Sequence, residues 1–257
     1  MTGETDARCL TNSDRIGGYE MAFSKQPRIY KAPEGVMYAG TADLVAKITV
    51  DGKRVVYLID FKTGKAPKDK AGYGEWPLQT ASYRNGIAGV EGNAIVHLDK
   101  ESGLPTWFDY STTYPQDLEA FKFLCEFWRN RNAEWLTKGV PSSTTVCGQL
   151  DKPALMWWAA GCACDYVRET VSGYKTVSID MLYATLDRAK KQFRSVSQKA
   201  MDVGTTVHQA IEHWFKTGEE PRTPTTEVLA GFLAFLEWHD KHEVEAIEVE
   251  KVIYGRY

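Results

Sequence analysis

The sequence predicts an α/β fold, a central mixed β-sheet flanked by helices. Three observations carry this prediction. The first half is rich in β-forming residues in strand-length runs, the second half has apolar residues at helical spacing, and the closing residues return to alternation. A strand after a helical half needs a partner, so it is expected to join the sheet built by the first half. Residues 1–257 then read as one domain, with a sheet core at 36–140, a helical half at 141–257 and an uncertain arm or linker at 1–35.

Val36–Val50 (VMYAGTADLVAKITV) reads as a strand, and Asp51-Gly52-Lys53 turns it into a hairpin with Arg54–Thr63 (RVVYLIDFKT). The loop KAPKDKAGYGEWP leads to a helix near Leu78–Val90, followed by strands near Ala94–Leu98 and Thr106–Tyr110. Leu118, Phe121, Leu124, Cys125 and Trp128 give Pro115–Leu136 a helical stripe, and Pro115 suits the first turn. The polar stretch Lys138–Thr145 is the expected seam between the halves. Helices are expected at about Pro153–Glu169, Ser178–Phe193, Ser195–Thr217 and Thr225–His242, with Gly218 stopping the third. Val244–Tyr254 (VEAIEVEKVIY) alternates like a half-buried strand.

Composition excludes several classes. With 43% hydrophobic and 25% charged residues, disorder, collagen-like repeats and a disulfide mini-scaffold are ruled out. No apolar run reaches the length of a membrane span and the first residues show no secretory pattern, so no membrane partner and a cytoplasmic location, in a bacterial or phage-infected cell, are expected. Thirty-one Lys+Arg against 34 Asp+Glu leaves a net charge of −3, so any polyanion must meet a local patch. Five cysteines without a C-x-x-C pair read as reduced thiols.

Chemistry concentrates in Gly40-Thr-Ala-Asp43 and Ile59-Asp60-Phe61-Lys62. Asp43 lies on one strand of the hairpin and Asp60 on the other, while Asp60 and Lys62, two apart, share a face. Asp-x-Lys on a strand is common as a solvated surface pair. Two carboxylates brought close repel unless a cation joins them, and hard oxygen ligands suit Mg²⁺ or Mn²⁺. Further on, Gln79-x-x-x-Tyr83 places both side chains on one helix face. Lys62, Lys65, Lys68 and Lys70 form a basic run beside these residues, and Arg188, Lys190, Lys191, Arg194 and Lys199 form another in the helical half.

Taken together, Gly204-Thr-Thr-Val-His208, Glu250, Gly40-x-x-Asp43, Asp60-x-Lys62 and Gln79-x-x-x-Tyr83 resemble the motifs of the PD-(D/E)XK nucleases, within them the RecB-like, phage-type exonuclease branch. The resemblance covers about residues 36–98 and 141–254. In that family the G-T-x-x-H helix and the Glu strand precede the G-x-x-D strand, whereas here they follow it. The chain therefore resembles a circular permutant of the restriction-endonuclease-like core, and no family motif falls in residues 1–35.

The resemblance implies a Mg²⁺- or Mn²⁺-dependent deoxyribonuclease, an exonuclease of recombination or repair, acting on DNA with the help of a recombination or repair partner. An endonuclease or nickase of the same fold, or a non-catalytic DNA-binding module, are the alternatives. It implies metal binding by Asp43, Asp60, the Phe61 carbonyl and His208, with Glu250 holding the metal through water. Glu248 competes with Glu250 for that place. Lys62 would orient or activate water, Gln79 and Tyr83 would contact the backbone or the ligating residues, and Lys65, Lys68 and Lys70 would track DNA. Some members carry a four-cysteine iron–sulfur cluster; only Cys147 and Cys125 fall near the required places, so no cluster is expected.

Overall fold

Alternation and turn chemistry place the strands almost where the sequence predicts them, and one hairpin organises the rest. The computed structural model describes residues 28–65, 67, 72–150, 152–221 and 225–257. In chain order the elements are β1 (Ile29–Tyr30), β2 (Tyr38–Val50), β3 (Lys53–Gly64), α1 (Glu75–Asn85), β4 (Gly92–Asp99), β5 (Pro105–Asp109) and α2 (Tyr114–Arg131). They continue with α3 (Ala133–Leu136), β6 (Val140–Pro141), α4 (Ser143–Cys147), α5 (Pro153–Val171), α6 (Ile179–Thr217), α7 (Thr226–Lys241) and β7 (Glu245–Gly255).

Five strands form a mixed sheet in the order β5-β4-β3-β2-β7, parallel between β3 and β4 and antiparallel elsewhere. The closing strand β7 pairs along β2, from Tyr38 opposite Gly255 to Lys47 opposite Glu245. On one face Val203, Val207 and Ile211 of α6 and Phe232, Phe235 and Trp238 of α7 cover Leu44, Ile59, Phe61 and Val96. On the other, α1, α2 and α4 cover Tyr38, Ala42, Leu58 and Ile253. β1 and β6 form a small two-stranded sheet of their own.

Strands β2 and β7 change face part-way. Leu44, Ala46 and Ile48 pack toward α6 and α7, yet Ala42, two residues before Leu44, packs toward α1. On β7, Val249 packs with the first group and Ile253 with the second. Regular alternation would keep each set on one side. The break on β7 coincides with Glu250, whose φ of +52° is in the left-handed region. Flanking pairs Ala42–Lys251 and Leu44–Val249 put Glu250 opposite Asp43, so both strands turn over at the same level.

Three expectations are corrected. Ser178–Phe193 and Ser195–Thr217 are one helix, α6, because no Gly or Pro interrupts it until Gly204 and the apolar series continues through Val196 and Val203. Ser178 caps its start by accepting from the Met181 N–H, and Gly218, at φ +74°, ends it. The stretch 138–145 is no free seam: Val140, Pro141, Ser142 and Ser143 are buried, and Ser142 bridges Ala39. The helix expected at Leu78–Val90 runs over Glu75–Asn85, since its buried side carries Gln79, Thr80 and Ser82 and gives little apolar periodicity.

Candidate metal centre

Asp43 sits on the inner strand β2, between β3 and the edge strand β7. Pairing with β3 runs from Val50–Lys53 to Leu44–Ile59 and stops one step short of Asp43 and Asp60, so the strands part where the charges lie. Asp43 Oδ2 accepts the Phe61 N–H at 2.6 Å, and Oδ1 lies 3.6 Å from Nδ1 of His208. That second distance is an ion-pair contact beyond ordinary hydrogen-bond length.

Helix α6 delivers His208 from the far side of the sheet. Its Val203–Val207–Ile211 stripe is buried, and His208 follows Val207 at the edge, its ring meeting Phe61 edge-on at 6.3 Å. Gly204 lets the helix come close here, since a Cβ would stand 2.7 Å from Thr63 Oγ1 and that hydroxyl would have to turn away. From the opposite layer α1 delivers Gln79 and Tyr83. Gln79 Nε2 donates to Asp60 Oδ1 at 3.2 Å and to the Tyr83 hydroxyl at 2.9 Å. Gly40 lets Tyr83 in, since a Cβ would come within 2.4 Å of its ring. Helices on opposite faces can serve one site only where the sheet opens, and it opens at Asp43.

Asp43, His208 and Glu250 each offer a ligand atom, and these atoms lie within 4.8 Å of one another, forming a possible metal-binding triad. Of the two competing glutamates, Glu250 is the one in this group, while Glu248 is paired with Lys251 at 2.7 Å. Asp60 stands beside the triad rather than in it, with Oδ2 at 2.5 Å from Lys62 Nζ. That contact is an ion pair without hydrogen-bond alignment, so a buried carboxylate oxygen is left with no aligned donor. Phe61 contributes its N–H to Asp43 and its ring to the core. Lys65 is exposed and 3.6 Å from Glu101, while Lys68 and Lys70 lie outside the described residues.

The electrostatics are those of a crowded anionic site. Burial raises Glu250, and the nearby Asp43 carboxylate adds to this, bringing it to about 7. Burial likewise lifts Asp60 to about 6, with Asp43 assisting and Lys62 opposing. Burial works against charge on His208, but the Asp43 carboxylate outweighs it and holds the imidazole at about 9. Asp43 itself is held low: His208, Lys62 and the Phe61 N–H outweigh its burial. Lys62 is raised because Asp60 and Asp43 outweigh its burial. Without a cation, protons and the lysine balance the carboxylates. The two carboxylates and imidazole of the triad, with the unaligned Asp60 oxygen alongside, fit a divalent ion in that role.

Sequence reasoning passed over His97. It pairs in register with Lys62 across β3 and β4, is buried, stacks on Trp76 at 6.0 Å and has, among the described residues, no hydrogen-bond partner for Nδ1. Its signal was a lone imidazole inside the apolar run AIVHL. Cys125 and Cys147 share a small apolar cluster, where burial pushes the Cys147 thiol up to about 12. Among the described residues no helix is long and apolar enough to cross a membrane. No family model, curated protein or solved structure matches the chain.

Proposed function

We propose that this chain is a divalent-metal-dependent deoxyribonuclease of the RecB-like PD-(D/E)XK type in circularly permuted order, acting as an exonuclease in recombination or repair. The observation that carries the reading is the convergence of five separated motifs on one sheet opening: Asp43, His208 and Glu250 in mutual reach, with Asp60–Lys62 and Gln79–Tyr83 beside them. The pairing of β7 along β2 supports the permutation, because it brings the late glutamate opposite the early aspartate.

Mg²⁺ or Mn²⁺ held by Asp43, His208 and Glu250 would polarise a phosphoryl oxygen and lower the pKa of an attacking water. The chain's own residues supply the rest. Lys62, kept cationic by its two aspartates, offers positive charge and a proton to the oxygens of a phosphodiester at neutral pH. Asp60 fixes Lys62, and Gln79, itself held by Tyr83, fixes Asp60. Digestion of end-labelled linear and closed circular DNA with Mg²⁺, Mn²⁺ or EDTA tests the proposal. Metal-dependent loss of the linear substrate alone is expected. Opening of the circle would instead favour an endonuclease or nickase, and no cleavage with either metal would overturn catalysis in favour of a binding module.

A further inference from the structure

Helix α5 and the first half of α6 form an antiparallel hairpin whose outer surface the other described residues leave uncovered. Among the described residues α5 packs on α6 and only marginally elsewhere, and none of its residues of described burial is buried. Near its start Met156, Trp157 and Trp158 are 63%, 80% and 38% exposed. Large aromatics at such exposure, next to one another, mark a binding surface.

Charge selects the occupant. Residues 153–200 contain seven Lys and Arg against four Asp and Glu, while the whole chain has 31 against 34. The hairpin is therefore net +3 and the remainder net −6. Arg188, Lys191 and Arg194 follow one another at i, i+3 and i+6 on α6 and make no ion pair among the described residues. Because α5 and α6 run antiparallel about the turn at 172–178, Trp157 lies at the height of this basic row. Two such hairpins from separate copies would repel, whereas a polyanion with exposed π-faces complements both features.

Both roots of the hairpin join elements that carry residues of the candidate metal centre. Just before α5, Lys152 pairs at 2.6 Å with Glu75, the first residue of the helix that carries Gln79. α6 continues directly to Gly204 against Thr63 and to His208 beside Asp43.

We propose that the α5–α6 hairpin is a docking arm for a single, unpaired nucleic-acid strand, with bases stacking on Trp157 and phosphates on Arg188, Lys191 and Arg194. The proposal rests on the nuclease reading for the class of ligand and adds the strand form. A duplex hides its base faces, so an exposed tryptophan gains from stacking only on unpaired bases.

The test uses the full chain in EDTA, where no metal-dependent cleavage occurs, with a fluorescent oligothymidylate and fluorescence anisotropy. Three neutralised phosphates predict a slope near −2 in log K against log salt, roughly a 20-fold loss of affinity from 50 to 200 mM. Trp157→Ala should weaken binding roughly 5- to 150-fold, the range for one stacked base. Replacing Arg188, Lys191 and Arg194 by Gln should flatten the salt slope, and a duplex of equal length should compete poorly. All four side chains lie on the surface, and thermal melts of the variants check that the fold is kept. Unaltered binding by both variants, or better binding of duplex than of single strand, would overturn the proposal. So would a wild-type dimer that Trp157→Ala makes monomeric without changing oligonucleotide binding, since the face would then belong to a second copy. Because binding is read without cleavage, a chain that binds through the arm but cuts nothing refutes the catalytic reading alone.

Discussion

Replacing Glu250 by Gln is expected to stabilise the metal-free protein and at the same time weaken its hold on a divalent cation. Burial, with the Asp43 carboxylate adding to it, raises this carboxyl from 4.5 to about 7 in the folded chain. A folded pKa above the unfolded one means that folding disfavours the ionised form. The penalty is absent below about 4.5 and fully present above about 7. The interval from 4.5 to about 7 sets a ceiling of about 3 kcal/mol, at about 1.4 kcal/mol per tenfold change in proton affinity. The residue is only half-buried, so solvent screening lowers the expected cost to about 1–2 kcal/mol. Gln keeps the shape and removes the charge. In EDTA at pH 8 the variant should melt roughly 2–8 °C above wild type, with a smaller gain at pH 5.5. With Mn²⁺ at a hundredfold excess over its dissociation constant, wild type should gain about 2.7 kcal/mol and the variant less, narrowing or reversing the order. A variant that melts lower than wild type in EDTA at pH 8, or whose advantage is equal at both pH values, would refute the reasoning.

Asp60→Ala and Lys62→Ala should each abolish cleavage of labelled linear DNA while circular dichroism and oligonucleotide binding persist; unchanged cleavage by the Asp60 variant would favour a binding module. His208→Ala should reduce Mn²⁺ affinity at least tenfold by calorimetry. Because the imidazole is held at about 9 and must lose its proton to bind a metal, wild-type affinity should rise from pH 7 to 9 and that rise should be blunted in the variant. In the metal-free chain the same imidazolium stabilises the fold fully below about 6.5, and that contribution fades as pH passes about 9, so stability should fall over this window. Gly40→Ala should cost about 1–3 kcal/mol in thermal unfolding, since its Cβ would strike the buried Tyr83 ring at 2.4 Å.

The sequence by itself determined the pieces whose cause is local. Alternation and a D-G turn set β2 and β3, a two-residue spacing put Asp60 and Lys62 on one face, and a four-residue spacing aligned Gln79 with Tyr83. Val203, Val207 and Ile211 recur in the sequence at helical spacing, and His208, directly after Val207, falls at the edge of the face they bury. Only the tertiary structure decided what depends on register between distant segments. The motif resemblance favours Glu250 over Glu248, but its place opposite Asp43 rests on the flanking pairs Ala42–Lys251 and Leu44–Val249 and on the left-handed backbone at Glu250, which no period of two can foresee. Asp60 shows the same limit: Gln79 and Lys62 approach it from a helix and from its own strand, and together they set its carboxylate beside the triad. A side chain's direction is local, but its partners are chosen by how whole strands and helices pack, and that choice is made only once the core is buried.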